Sequence, residues 1–509
     1  MSKNVGHIAG LLKDFVNLAC RKDVFFATVR ENCNTNGFCG LHSISKSFVT
    51  SSRHQAGIPP GLLMKAETLA ASKRPGQEVP FRLKDLFRWK SSIAPSLGNS
   101  IESTSNSAGQ ILTSALGSVA FTRELSTGAK QQLAWWLGGT AAWVYSMVVL
   151  GGVTRLTRSG LSMTEWKFTG ERPPLTAEDW RLQFDLYMAS PEFKRLHSKM
   201  TMEEFKFIFW MEYAHRMWGR VLGLAFLLPG SYFLARGFIN PSLGKRLGLL
   251  FLMGGTQGLV GWWMVRSGLQ EPDKQWETPR VSPYRLAAHL VSAFTIYSGL
   301  VWTTLDIVYP KPLLAAADAT TQLAAKSVRS KLLPLAALVA VTASSGAFVA
   351  GLDAGRAYNT FPLMSGRWVP EEYWDTSLTT FRNFFENTAA VQFHHRVLAT
   401  LTATSVAVLW HVVRSSAVPH RVKLCMDVVL GVTAVQFTLG IWTLLSYVPV
   451  HLGSAHQANA LNLFTAMLVT LHALRPAEMG PISLALARYG TPAAALAVLG
   501  VGLAVTTNY

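Results

Sequence analysis

Eight apolar windows constrain this chain more than any motif does: Leu133 to Gly152, Phe205 to Leu228, Leu247 to Val265, Leu286 to Val308, Leu332 to Leu352, Val391 to Val413, Leu424 to Leu445 and Leu452 to Leu474. A helix needs roughly 20 residues to cross about 30 Å of hydrocarbon. Backbone groups find no partners in lipid, so each window is read as a helix. With 49% hydrophobic and only 15% charged residues, the composition agrees. The expected fold is an all-α polytopic membrane protein with eight transmembrane helices. A further apolar run, Thr491 to Val505, is shorter and carries Pro492 at its start. It crosses the membrane, lies on its surface or packs as a tail.

The formal charge of +18 is distributed by topology. The connections after the second, fourth and sixth windows carry Arg236, Lys245 and Arg246, then Lys311, Lys326, Arg329 and Lys331, then Arg414, Arg421 and Lys423. The opposite connections mix signs, as in Arg266, Glu271, Asp273, Lys274, Glu277 and Arg280. By the positive-inside rule the N-terminus and the basic connections face the inner compartment. A basic balance spread this way is not a nucleic-acid footprint. The residues before the first window have scattered Lys and Arg, a Ser-rich stretch from Ser91 to Ser107 and no sustained periodicity. That composition suits an organelle transit peptide and a loosely ordered segment, although Asp14, Asp23 and Glu31 interrupt it. A disordered cytosolic tail is the alternative. Cys20, Cys33 and Cys39 fall in this segment and Cys425 begins the seventh window, so neither a disulfide nor a zinc site is expected.

The windows contain a repeat. Gln257-Gly258-Leu259-Val260-Gly261-Trp262-Trp263 in the third window and Gln436-Phe437-Thr438-Leu439-Gly440-Ile441-Trp442 in the seventh share Gln, Gly and Trp at the same spacing. Gly151-Gly152 followed by Gly160 matches Gly346-Ala347 followed by Gly355, and two His-Arg pairs, His215-Arg216 and His395-Arg396, also match. Two parallel four-helix bundles related by pseudo-symmetry are therefore expected. The expected segments are 1–130 (leader), 131–308 (first bundle), 309–331 (inner linker), 332–474 (second bundle) and 475–509 (tail).

Ionisable side chains at membrane depth persist mainly where they bind, pair or react. His215 and His289 sit toward the outer ends of the second and fourth windows, and His395 and His456 repeat the arrangement. Facing side chains in a helix bundle can hold a cofactor, and neutral imidazole is an axial ligand for heme iron. These four histidines are the candidate metal ligands. His394 adjoins His395 but lacks the repeat position, while His411, His420 and His472 lie where interfacial solvation explains them. Glu212 stands three residues before His215 and its counterpart is Gln392, isosteric but unable to ionise. A carboxylate beside a heme iron has a proton-transfer role; the plain alternative is an ion pair with Arg216 or Arg220. Arg216 and Arg396 are placed to contact heme propionates or to serve interhelical pairing. The outer connections mix charges with amphipathic aromatics, such as Trp166, Trp180, Tyr187, Tyr358, Trp368 and Tyr373, which suits surface lids and interfacial anchors alike.

These residues together resemble the heme A synthase family, in its mitochondrial branch. The resemblance runs from about Leu133 to Leu474 and is carried by Gly151 to Ser162, Glu204 to Arg220, Gly351 to Pro362 and the segments around His395 and His456. It implies oxidation of the C8 methyl group of heme O, through an alcohol and a gem-diol, to the formyl group of heme A, supplied to cytochrome c oxidase. It further implies that His395 and His456 bind a resident heme B, that His215 and His289 bind substrate or product heme, and that Glu212 is the mechanistically important acid. The implied partners are heme O and heme A, membrane lipid, a ferredoxin-type electron donor, heme O synthase and a second copy of the chain. The implied location is the mitochondrial inner membrane, with the N-terminus in the matrix and the histidines toward the intermembrane space. Bacterial relatives can carry a cysteine pair in an outer loop; this chain has none there, so no thiol step is carried over. The competing class is a bis-heme transmembrane electron-transfer protein, which predicts equivalent halves. A transporter with inverted repeats would use broken helices at the midplane.

Overall fold

The computed structural model describes residues 125–167, 169–272 and 278–476. The leader ahead of residue 125 and the apolar run Thr491 to Val505 lie outside the described residues. The chain forms α1 (Thr127–Leu156), α2 (Ala177–Met188), α3 (Met202–Ala235), α4 (Pro241–Gly268), α5 (Pro283–Val308), α6 (Ala319–Gly351), α7 (Thr380–Glu386), α8 (Thr388–Ser415), α9 (His420–Leu445) and α10 (Val450–Ala473). The eight long helices match the eight apolar windows, with Leu352 and Leu474 one residue past the ends of α6 and α10.

Their starts are set by local chemistry. Ser126, Thr201, Asn240 and Asp318 each accept a bond from an otherwise unpaired amide of the first turn, with Glu204 completing a capping box on α3 and Pro241 opening α4. Seven long helices are apolar enough to cross a membrane on length and hydropathy alone. The eighth, α10, carries His451, His456, Gln457, Asn459, Asn462 and His472, and it is screened by α9 on one side and by α1, α5 and α6 on the other.

Within the first half, α1 packs on α3 and α5, and α4 packs on α5; the second half repeats this with α6 on α8 and α9 on α10. Each half has its own apolar core, one around Leu133, Leu137, Leu243 and Leu300, the other around Leu332, Val413, Val422 and Met467. The halves meet along α1, α5, α6 and α10. The Tyr145 hydroxyl donates to Ala458 O at 3.2 Å, Gln457 Nε2 donates to Val148 O at 3.0 Å, and the Tyr297 and Thr465 hydroxyls lie 2.8 Å apart. At the histidine end of the bundles Arg155 binds Ala350 O at 2.8 Å and Asp353 Oδ1 at 3.3 Å. Arg158 and Asp353 occupy the same repeat position, and both are left-handed, with φ of 53° and 54°. The duplication thus extends to the backbone conformation beyond each helix end.

The opposite end holds a charge cluster where surface solvation is expected for His472. His472 is only 3% exposed. Its Nε2 lies 3.0 Å from Asp306 Oδ1, while Arg246 Nη1 reaches Asp306 Oδ2 at 2.7 Å and Arg475 Nη1 reaches His472. His472 is interior because α4, α5 and α10 converge there, and Asp306 needs both partners. Arg246, counted among the basic-loop charges, is therefore also a packing element. Breaking such a buried pair strands charge and costs ~3–5 kcal/mol. Asp306→Ala should lower the thermal unfolding midpoint in detergent; an unchanged midpoint would show that the cluster is not a clamp.

Candidate functional site

Each candidate histidine ring lies in a notch made by a glycine on a neighbouring helix. A Cβ added to Gly151 of α1 would lie 3.1 Å from His215 Nε2, and one on Gly261 of α4 would lie 3.0 Å from His289 Cε1. In the second half the distances are 3.2 Å from Gly346 to His395 Cε1 and 2.9 Å from Gly440 to His456 Cε1. These approaches are closer than ordinary side-chain contacts allow, so the glycines of the repeat set the depth of every ring. All four rings are half-buried.

Polar neighbours orient the rings further. Gln257 Nε2 lies 3.1 Å from His289 Nδ1 and donates to His289 O at 2.8 Å, and its carbonyl accepts from Ser292. Gln436 Nε2 lies 3.2 Å from His456 Nδ1, and its carbonyl accepts from Asn459 Nδ2 at 3.0 Å. Ser345 Oγ donates to Thr342 O at 2.7 Å, so its oxygen accepts from His395 Nδ1, also at 2.7 Å. That bond places the ring proton on Nδ1 and leaves the Nε2 lone pair for a ligand.

The His395 and His456 ring centroids are 6.5 Å apart with planes at 85°. A metal–imidazole bond of roughly 2 Å on each side of one ion puts two ring centroids roughly 6 to 6.5 Å apart. Among the described residues, no cluster of three or more His, Cys, Asp or Glu side chains could hold a bare ion, so iron here would take its equatorial ligands from a macrocycle. Arg396 adds a buried Nε without a hydrogen-bond partner, which suits an acidic substituent such as a propionate. A heme fits this donor set. His394 points elsewhere: its Nε2 meets the Tyr373 hydroxyl at 3.0 Å and its ring stacks on Phe384 at 4.0 Å.

Beside these pairs the halves diverge at one buried position. Glu212, 2% exposed, accepts from the Ser162 hydroxyl at 2.7 Å, from Met163 N at 2.8 Å and from Arg216 Nη2 at 2.6 Å. Gln392, 3% exposed, donates to Ala354 O and Ala357 O and accepts from Arg396 Nη2 at 2.8 Å. Both arginines also clamp the outer connections: Arg216 binds Met163 O and Glu165 O, and Arg396 binds Tyr358 O and Thr360 O. A cavity of about 260 Å³ opens next to Arg216, lined by Trp166, Trp262 and Arg266. The ion pair with Arg216 considered from sequence is therefore present, and it leaves a carboxylate held by three donors near His215.

The family model for COX15-CtaA, described as cytochrome oxidase assembly protein, matches residues 134–468. This chain belongs to the COX15-CtaA family. Among curated relatives, the Arabidopsis thaliana protein named heme A synthase COX15 is 57% identical over 354 residues, covering 69% of this chain and 77% of that protein. The Homo sapiens protein of the same name is 44% identical over 351 residues, 69% of this chain and 84% of its own length. A Schizosaccharomyces pombe protein named heme A synthase-mitochondrial ferredoxin fusion protein is 43% identical over 371 residues, 68% of this chain and 60% of that protein.

Several residues of this family member's site carry no chemical signature of their own. Ser345 and Ser292 are ordinary helix residues in the sequence, and their roles come from rotamer and depth. The glycines and glutamines were visible as a repeat, and the repeat itself, read as histidine supports, was the available signal. Gly440→Leu should eject His456 and lower the heme content of the purified protein by about 10-fold or more. Gly431→Leu, on the same helix where an added Cβ meets nothing within 4 Å, should keep it. Equal heme content in both variants would refute the notch.

Proposed function

We propose that this protein is a heme A synthase that oxidises the C8 methyl group of heme O to the formyl group of heme A, which then serves cytochrome c oxidase. The observation that carries the reading is the asymmetry of chemistry on a duplicated frame. Glu212 stands where the second half has Gln392, and Ser345 stands beside Gly346 where the first half has Leu150 beside Gly151. A serine that fixes the His395 tautomer suits a resident heme B held by His395 and His456. A first pair without that hydroxyl, next to an ionisable group, suits a heme that arrives as heme O and leaves as heme A. Residues 131–308 are thus the substrate bundle and 332–474 the resident-heme bundle.

When bound, the resident heme supplies one-electron redox chemistry. The chain's own residues do the rest. His215 and His289 fix the depth of the substrate. Arg216 ties the connection at Met163 and Glu165 over it and holds Glu212 in place. Glu212 is positioned to exchange a proton with the site as the methyl carbon passes through the alcohol and the gem-diol. Arg396 ties the second connection over the other pair and keeps its Nε for a propionate. The name of the Schizosaccharomyces pombe relative supports a ferredoxin-type electron donor, and the mitochondrial naming of such relatives supports the mitochondrial inner membrane. The basic connections support a matrix N-terminus and histidines toward the intermembrane space. Heme O synthase and a second copy of the chain complete the proposed partners.

A bis-heme electron carrier would need equivalent halves, and the Glu212/Gln392 pair argues against it. The substitution Glu212→Gln should retain substrate heme and lower heme A formation by about 100-fold or more, measured by chromatography of extracted hemes. His215→Ala should abolish product and keep the heme B spectrum, whereas His456→Ala should remove that spectrum. Normal turnover in Glu212→Gln, or equal spectral losses in the two histidine variants, would defeat the division of labour.

A further inference from the structure

Arg285 stands one turn before His289 on α5, on the same face of the helix. Its Nη1 donates to Trp263 O at 2.9 Å, and its guanidinium carbon lies 4.5 Å from the centroid of the Trp263 ring. Trp263 comes two residues after Gly261, the glycine against which the His289 ring is seated. One short stretch of α4 therefore fixes both the ligand candidate and the cation beside it.

These contacts leave one edge of the guanidinium unused. Among the described residues the bond to Trp263 O is the only hydrogen bond that the Arg285 side chain makes, and its Nε is buried without a partner. Nε and Nη2 lie side by side on the unused edge, the fork that grips a carboxylate through two parallel bonds. Stacking on an indole fixes the plane of a guanidinium and leaves its in-plane donors free. A buried donor on a cation is costly to leave unpaired, so the fork points to a ligand that brings an anion. The second half does not repeat the group: aligning His289 with His456 sets Leu452 opposite Arg285, and Leu452 is buried. Arg216, the other first-half candidate for a heme carboxylate, is already engaged. Its Nη1 binds Glu165 O, and its Nη2 binds Met163 O and Glu212.

We propose that Arg285 holds a propionate carboxylate of the heme that occupies the first histidine pair. The inference rests on that pair being the exchanging site. Two imidazoles on one axis fix the depth of a macrocycle and leave its rotation about that axis open. A carboxylate held at the ring edge closes that freedom, because the propionates extend from one edge only. The C8 methyl group shares its pyrrole ring with a propionate, so holding that edge keeps the methyl in one place. The resident heme needs no such choice of edge to stay bound, which accounts for an apolar residue at the matched position.

The test is spectral titration of the full-length protein, purified in detergent from cells that make no heme O, with heme O and with heme O dimethyl ester, whose propionates are blocked. The parent should bind the free acid about 10-fold or more tightly than the ester. Arg285→Leu should bind both alike, at the strength the parent shows for the ester, and Arg285→Lys should recover part of the preference. An Arg285→Leu protein that binds both ligands more weakly yet keeps the preference marks a structural role and overturns the proposal, as does a parent with no preference. Where Arg285→Leu does not accumulate, Arg285→Gln decides: a lost preference supports the contact and the parent preference refutes it. His215→Ala separates the contact from the reading beneath it. Heme O binding that survives this substitution overturns the exchanging site and the Arg285 contact together. Binding lost there, with the preference unchanged in Arg285→Leu, overturns the Arg285 contact alone.

Discussion

The close approach of a histidine ring to a glycine backbone, made four times, is the constraint on which the rest of the structure depends. An imidazole can serve as an axial ligand only if its depth and direction are fixed before the ligand arrives. Here the neighbouring helix supplies the fixing surface, because a Cβ at any of the four glycines would crowd the ring at 2.9 to 3.2 Å. Helices that approach this closely leave little freedom in rotation or register. The cores around Leu300 and Met467 then lock the approach from the side away from the histidines, and the charge cluster at Asp306 ties α4, α5 and α10 at the far end.

Much of this was legible in the sequence, for identifiable physical reasons. The apolar windows located the long helices because lipid leaves a backbone few alternatives, and the helices extend past them where caps such as Asp318 allow. The repeat located the histidines and their glycines. What was not legible depends on three-dimensional convergence. His472 looks like a surface histidine from its position near a basic loop, yet three helices close over it. Glu192 looks like one more charge in an outer connection, and only the packing of Tyr187 against Phe205 shows it to be interior. The two arginines that follow the ligand candidates were expected to meet carboxylates or serve helix pairing; they also hold loop carbonyls, which sequence spacing does not reveal.

A duplicated frame makes small differences informative. The backbone repeats at the left-handed residues Arg158 and Asp353, but not at the matched pair Met163 and Tyr358, of which only Tyr358 is left-handed. Glu212 against Gln392 changes whether the site can ionise, and Leu150 against Ser345 changes whether a ring proton is fixed. Both changes fit the proposed division, with the second half as the holder and the first half as the reactor. On that proposal one bundle keeps its heme in place while the other exchanges one.

The most direct test of that account is extraction and mass analysis of the hemes that copurify with the protein from cells making heme O. The account predicts heme B together with heme A or its hydroxylated precursor. Heme B alone, at two per chain, would contradict it and assign both bundles to electron transfer.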